Sequence, residues 1–273
     1  MAEVAKSVLE DIVAQRRERL EEARKKVPLD RLRRAAEARS DHRDFAAALA
    51  GRTLRAIAEL KSTSPSRGLL RADYRPAEIA SGYETAGAAA LSVLTEEDFF
   101  KGSLEHLRAA RAATALPVLR KDFILDEYQI FESAAAGADA ILLIVAALGD
   151  ADLRRLLELS RALRLAALVE IHSEGELDRA LAAGARIIGI NNRNLKSLEV
   201  NLETSLRLRP GIPVGCVSVS ESGIKTAEDL CRLAEAGFNA VLIGERLMTM
   251  PDPGAELAAL LAGAAEKAAP RGI

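Results

Sequence analysis

Eight short apolar runs recur along this chain, at 54–60, 90–94, 117–119, 138–145, 166–171, 187–190, 214–219 and 240–243. Each interval between them holds one helix and two loops, and amphipathic stretches at 153–163 and 174–183 fill two of them. Gly87-Ala88, Gly137-Ala138, Gly184-Ala185 and Gly237-Phe238 each stand just ahead of a run, where a helix must stop before a strand begins. Near-continuous apolar strands alternating with helices specify an α/β fold, a parallel sheet covered by helices. Eight such units close most simply into a single (β/α)8 TIM barrel; a doubly wound open sheet is the alternative. A length of 273 residues suits one such domain.

The chain ahead of the first run reads differently. Val4, Val8, Leu9, Ile12 and Val13 recur at helical spacing, a dense charge run follows from 16 to 26, and Pro28 ends it. Mixed signs at i,i+4 spacing make that run a solvated helix face rather than a basic contact surface. Ser40 or Asp41 can cap a second helix through Phe45 and Leu49, closed by Gly51. The expected organisation is one barrel domain over 1–273. It has an N-terminal extension of two helices over 1–51, the barrel over 52–250, and a last helix and tail over 251–273, with the loose tail at 268–273. The extension either covers the pocket or plugs the bottom or side of the barrel.

The formal charge of −2 is close to balanced, which points away from nucleic-acid and membrane surfaces as partners. Charges run through the N-terminal segment and no apolar run is long enough to span a bilayer. Cys216 and Cys231 are the only cysteines and lack metal-ligand spacing, so they read as reduced packing thiols. A soluble cytoplasmic protein is expected.

Function enters where charge interrupts the apolar runs, because it does so repeatedly at their C-terminal ends, the face where barrels of this kind carry their sites. Glu59 and Lys61 share the parity of Ile57 and point into the barrel; Lys121 shares that of Leu119, while Arg120 points to the other face. Glu170 follows Leu168 in the same sense, Asn191 ends the sixth run and Glu221 the seventh. A mouth lined by two lysines, three carboxylates and an amide follows. Structural ion pairs would be the plain reading of one such position. Several strands contributing charge at one level argue for a functional cluster, since buried charge is costly.

A second set reads as an anion site. Glu221-Ser222-Gly223 and Leu242-Ile243-Gly244-Glu245 end the last two runs, and their glycines let backbone N–H groups approach a phosphate. Ser64-Pro65-Ser66-Arg67-Gly68 has the make-up of a mobile loop with hydroxyl donors. His172 shares the parity of Glu170 but reads as a solvent-exposed loop histidine, and His42 and His106 carry no signal.

The segment Ile57-Ala58-Glu59-Leu60-Lys61-Ser62-Thr63-Ser64-Pro65-Ser66 resembles the first-strand signature of the indole-3-glycerol-phosphate synthase family, and Pro117-Val118-Leu119-Arg120-Lys121-Asp122-Phe123-Ile124 is similar to its third-strand segment. Leu91-Ser92-Val93-Leu94-Thr95-Glu96, Val169-Glu170-Ile171-His172, Gly189-Ile190-Asn191-Asn192-Arg193-Asn194-Leu195, Glu221-Ser222-Gly223-Ile224 and Leu242-Ile243-Gly244 continue the likeness in order. The resemblance implies a lyase of tryptophan biosynthesis. Such an enzyme closes 1-(2-carboxyphenylamino)-1-deoxyribulose 5-phosphate to indole-3-glycerol phosphate, losing carbon dioxide and water. It implies Lys121 as general acid and Glu170 as the acid/base of the dehydration. Lys61 pairs with the substrate carboxylate or shares proton transfer, Glu59 positions the lysines and substrate, and Asn191 and Glu221 orient hydroxyls and charges. Ser64, Arg193, Ser222, Gly223, Gly244 and Glu245 hold the phosphate, with Glu245 giving only its backbone N–H and turning its side chain outward. A Glu245 carboxylate facing the pocket would count against that placement. No metal and no organic cofactor is implied, because rearomatisation of the indole drives the decarboxylation. The implied protein is a monomer or weak homodimer.

Two rivals share the fold. A phosphoribosylanthranilate isomerase would use a Cys/Asp-type pair, and no cysteine lies in the first run. A non-catalytic phosphometabolite-binding barrel has no need of the set Glu59, Lys61, Lys121 and Glu170.

Overall fold

A computed structural model of the chain describes residues 8–51, 53–194 and 197–268; Val4, Leu195 and the tail from 269 onward lie outside them. The eight runs form β1 (Arg55–Leu60), β2 (Ala90–Leu94), β3 (Val118–Lys121), β4 (Ala140–Ile144), β5 (Ala166–Ile171), β6 (Ile187–Asn191), β7 (Val217–Glu221) and β8 (Ala240–Ile243). All pair in parallel with their sequence neighbours, and β8 closes onto β1 with Ile57 beside Leu242. This is the closed barrel, not the open sheet. Alternation along each strand divides the core in two. Ile57, Leu119, Leu142, Leu168, Val219 and Leu242 fill the interior, while Ala58, Val93, Ile141, Val169, Ile188 and Val241 pack outward against the helices.

Several strand boundaries differ from the sequence reading by one to three residues, and two of the shifts have a clear physical reason. β3 runs on through Arg120 and Lys121, because a closed barrel gives the end of a strand both a ladder and a place for charge. β7 starts at Val217 rather than at 214; Val214 is fully exposed in a turn after Pro213, where Gly215 takes φ 98°.

Between the strands run α4 (Pro76–Thr85), α5 (Leu104–Ala113), α6 (Glu127–Ala136), α7 (Asp150–Ala162), α8 (Glu174–Ala182), α9 (Glu203–Leu208) and α10 (Ala227–Glu235). After β8 come α11 (Glu245–Met248) and α12 (Pro253–Ala268), so the last helix takes in Ala268, where the loose tail was expected. Side-chain oxygens of Ser103, Asp126, Ser173 and Thr226 cap α5, α6, α8 and α10. Gly87, Gly137, Gly184 and Gly237 take φ between 81° and 95° after their helices, the left-handed turn that lets each chain drop back into the barrel.

Three helices, not two, precede β1: α1 (Val8–Lys26), α2 (Leu29–Glu37) and α3 (Phe45–Leu49). Pro28 ends the first and also stands as N-cap of the second, since a proline lacks only an N–H that the first turn leaves unpaired. Asp44, rather than Ser40 or Asp41, caps α3 by accepting from the Ala47 N–H, and Ala50 is its C-cap. The extension divides its work. Phe45 and Leu49 are buried in the interior core and plug the bottom of the barrel. α1 instead crosses the C-terminal mouth, where Val8, Leu9 and Ile12 line a cavity.

What holds α1 there is the charge run read as solvent-facing. Arg16, Arg19 and Arg24 reach Asp122, Asp98 and Asp126, each at 2.7 Å, in the loops after β2 and β3. The Tyr128 hydroxyl, with one proton to donate, lies within hydrogen-bond reach of both the Ala23 and Val27 carbonyls, each at 2.9 Å. No described helix is long and apolar enough to cross a membrane.

Candidate active site

Strand parity delivers the polar residues to one place. At the C-terminal mouth a cavity of about 970 Å³ opens, lined by Glu59, Lys61, Lys121, Glu170, Asn191 and Glu221 from five of the eight strands or the residues just after them. Lys121 is the centre of the cluster. Its Nζ lies 3.0 Å from Glu170 Oε2 and 3.3 Å from Glu221 Oε2. Lys61 forms a separate pair with Glu59, Nζ to Oε1 at 2.9 Å.

The balance of these charges follows from burial. Desolvation by itself would lower the Lys121 pKa, but Glu170, Glu221 and Glu59 outweigh it and hold the ammonium raised above an ordinary lysine. Burial pushes Glu170 up, yet Lys121 and His172 overcome that and keep it below an ordinary glutamate. Glu221 goes the other way: burial pushes it up to about 7, with Lys121 only partly offsetting the cost. Neither Glu221 oxygen has a well-formed hydrogen bond among the described residues. One carboxylate is thus kept ionised while its neighbour is poised to exchange a proton near neutrality, an arrangement suited to acid–base work.

Two glycines make room for these carboxylates. A Cβ on Gly189 would collide with Glu221 Oε1, and one on Gly244 would stand 2.7 Å from Glu59 Oε1. Both positions face the interior, and any side chain there would drive a carboxylate out of the mouth.

The residues read as an anion site gather at one side of the same cavity, with Ser64, Arg193, Ser222, Gly223, Gly244 and Glu245 all in its lining. Ser222 and Gly223 have successive positive φ values of 69° and 83°. Asn192 braces this turn, donating from Nδ2 to the Ser222 carbonyl at 3.0 Å and to Ser220 Oγ at 3.1 Å. Ser220, a position without meaning in the sequence, is therefore part of what supports the turn. The Ser64 hydroxyl is buried without a partner among the described residues. The segment around it is a short hairpin, Thr63–Ser64 against Gly68–Leu69, rather than an irregular loop. Glu245 departs from expectation, and in the way that counts against the phosphate placement read from the sequence. Its carboxylate is not turned away but bridges Arg193 at 3.3 Å and Arg67 at 3.4 Å, side by side on the cavity wall.

The family model for indole-3-glycerol phosphate synthase matches residues 9–260. An indole-3-glycerol phosphate synthase of Albidiferax ferrireducens is 51% identical over 261 residues, covering 94% of this chain and 99% of its own. One of Chloroherpeton thalassium is 56% identical over 211 residues, 76% of this chain and 81% of its own. The chain belongs to the indole-3-glycerol phosphate synthase family. Among solved structures, 3-hexulose-6-phosphate synthase of Salmonella typhimurium superposes with TM-score 0.63 over 78% of this chain and 99% of its own. At 11% identity that likeness is one of fold. Family membership places the chain among the decarboxylating lyases of tryptophan biosynthesis.

All twelve residues singled out from the sequence line one cavity, and three features at or behind it escaped the sequence. His172 is not exposed: its side chain is 14% accessible and sits between Glu170 and Glu176. The visible signal was a glutamate four residues on, across the strand-to-helix junction. Arg67 lines the anion side beside Arg193. Glu96, buried after β2, accepts backbone N–H bonds from Asp98, Phe99 and Phe100 and so holds the loop that brings Phe100 to the cavity.

Proposed function

We propose that this chain converts 1-(2-carboxyphenylamino)-1-deoxyribulose 5-phosphate to indole-3-glycerol phosphate. The observation that carries the reading is the Lys121 ammonium held between Glu170 and Glu221 in a cavity large enough for such a substrate. Ring closure needs a proton for the ketone oxygen as the aromatic carbon attacks it, and Lys121, charged throughout the neutral range, always has one to give. Loss of carbon dioxide restores the aromatic ring. Dehydration then needs a base for the departing ring proton and an acid for the leaving hydroxyl. Glu170, kept ionised, takes the ring proton and passes it to the departing hydroxyl, which leaves as water and restores the carboxylate. Lys61, held by Glu59, meets the substrate carboxylate or shares the proton transfer, and Asn191 and Glu221 orient the hydroxyls.

On this reading the phosphate lies against Ser64, Arg193, Ser222, Gly223 and Gly244, with Arg67 added. Glu245 then acts as the occupant of the two guanidinium groups before the phosphate arrives, and as a repulsive neighbour afterwards. Glu245→Gln should tighten inorganic phosphate, used as a competitive inhibitor, by roughly two- to fivefold, the range of a partly exposed ion pair. Unchanged or weaker inhibition would move the phosphate away from Arg193 and Arg67.

We place the enzyme in the cytoplasm as a monomer or weak homodimer. Cys216 and Cys231 are free thiols, as a reducing compartment would leave them, and Leu69, Val200 and Val214 are the exposed large apolar side chains among the described residues. The direct test supplies the carboxyphenylamino-deoxyribulose phosphate to the purified protein and follows indole fluorescence, which stands on a low background because the chain contains no Trp. Turnover supports the reading. Tight binding without turnover would make the barrel a metabolite sensor, and neither binding nor turnover removes the proposal.

A further inference from the structure

Glu170 has two oxygens and the mechanism above uses one neighbour for them, Lys121, at Oε2. The other, Oε1, faces His172 Nε2 at 3.5 Å. That nitrogen is buried and makes no hydrogen bond, so a polar atom is aimed at the carboxylate from just beyond bonding distance. The ring is not free to turn away. Glu176 Oε2 lies 3.2 Å from His172 Nδ1 and also accepts the backbone N–H of His172 at 2.7 Å. One carboxylate oxygen thus fixes the ring against its own main chain. Glu176 is itself placed by the start of α8, where its N–H donates to the capping Ser173 hydroxyl at 3.3 Å.

Resting on the reading of Glu170 as the acid/base, we propose that His172 is a positioning residue which, braced by Glu176, holds the Oε1 side of Glu170 opposite Lys121. The chain of contacts Glu176–His172–Glu170–Lys121 runs from α8 through β5 to β3, so the helix that follows β5 sets the aim of the carboxylate at its end. The groups facing the ring are Glu170 on β5, Glu176 on α8 and Glu221 on β7, with Lys121 of β3 beyond Glu170. Burial disfavours the imidazolium, but these carboxylates outweigh it, and the His172 pKa is raised above 6.5. A core histidine that only fills space would be pushed down. His42 and His106 are pushed down by their burial.

Those opposite directions make the test independent of turnover. In an NMR titration of the three histidines, two should titrate below 6.5 and one above it, and the high one should vanish in His172→Gln. In Glu176→Gln the His172 value should fall, because the brace and its charge are both lost. In the indole assay, removing a cation beside Glu170 raises the Glu170 pKa. The acidic limb of kcat/KM in His172→Gln should therefore move to higher pH, by about one unit. At neutral pH kcat should drop about tenfold with KM nearly unchanged. A His172 value below 6.5, or an unmoved limb in a variant that has merely lost thermal stability, overturns the proposal. If the wild type turns nothing over, the parent reading fails by itself. The clamp is then judged by the titration alone, and an unaltered His172 value in Glu176→Gln would sink it.

Discussion

Lys121→Ala is expected to lower kcat by roughly a hundredfold or more, the range for loss of a positioned general acid. Lys121→Arg should be nearly as inactive, because a guanidinium keeps the charge but does not release a proton in this range. Stability separates the two. In the alanine variant Glu170 and Glu221 face one another without the cation that lies between them. Glu170 then loses the cation that lowers its pKa, the already raised Glu221 rises further, and a raised carboxyl costs stability as pH increases through the interval between its unfolded and folded values. The stability gap between Lys121→Ala and wild type should accordingly widen from pH 5 to pH 8, whereas Lys121→Arg should track the wild type. Denaturation at both pH values, with the indole assay alongside, checks each statement. Undiminished activity in both variants would transfer the acid role to Lys61, the other lysine of the mouth.

A comparably large effect is expected on the outer side of the same strand. Asp122 is buried, and its Oδ2 receives Arg16 Nη2 at 2.7 Å, Thr95 Oγ1 at 2.5 Å and Arg120 Nη2 at 2.9 Å. Arg120 is 1% exposed and retains Glu132 at 2.8 Å, but Arg16 depends on Asp122 for its ion pair. Asp122→Ala leaves buried guanidinium groups short of a counter-charge, which costs about 3–5 kcal/mol. For a chain of this size that is a fall in Tm of roughly 6 °C or more. Because Arg16 belongs to α1, and α1 lines the cavity through Val8, Leu9 and Ile12, the first consequence should be release of that helix. Limited proteolysis should cut within α1 before the barrel melts, and KM should rise. The contribution also has a pH sign. Burial would raise Asp122, but Arg16 and Arg120 hold it below the ordinary value of 3.8. Its stabilisation is present above that value and disappears as pH falls through the lowered one. A variant that melts with wild-type cooperativity, and with α1 still protected, would show that α1 is held by its other arginines instead.

The catalytic mouth was legible from local rules to an unusual degree. Period-two alternation is a property of a single strand, so Glu59, Lys121 and Glu170 could be assigned to the interior as soon as Ile57, Leu119 and Leu168 were. Helix ends were equally local: the four glycines before β2, β4, β6 and β8 took the left-handed turn their placement predicted. Where a residue serves two rules at once, pattern reading failed. Pro28 stops one helix and starts the next, and only the stop was seen. The run from 16 to 26 has the mixed charge of a solvated face, yet three of its arginines have carboxylate partners roughly 80 to 106 positions away.

The family, the alternation of eight strands with helices and the inward set of charged residues all follow from short-range pattern and motif, which depend on bonds to neighbours in sequence. Which lysine takes which carboxylate does not. Lys121 and Glu170 are 49 positions apart and meet because closure of β8 onto β1 bends the strand ends into one ring. Closure likewise sets Gly189 beneath Glu221 and Gly244 beside Glu59, turning glycines that alternation leaves unremarkable into the spaces the carboxylates occupy. The same is true of His172 and Glu245. Each reads as a polar residue bound for solvent, and each is drawn inward by opposite charges brought near by the ring, an electrostatic gain that depends on distances through space and has no trace along the chain.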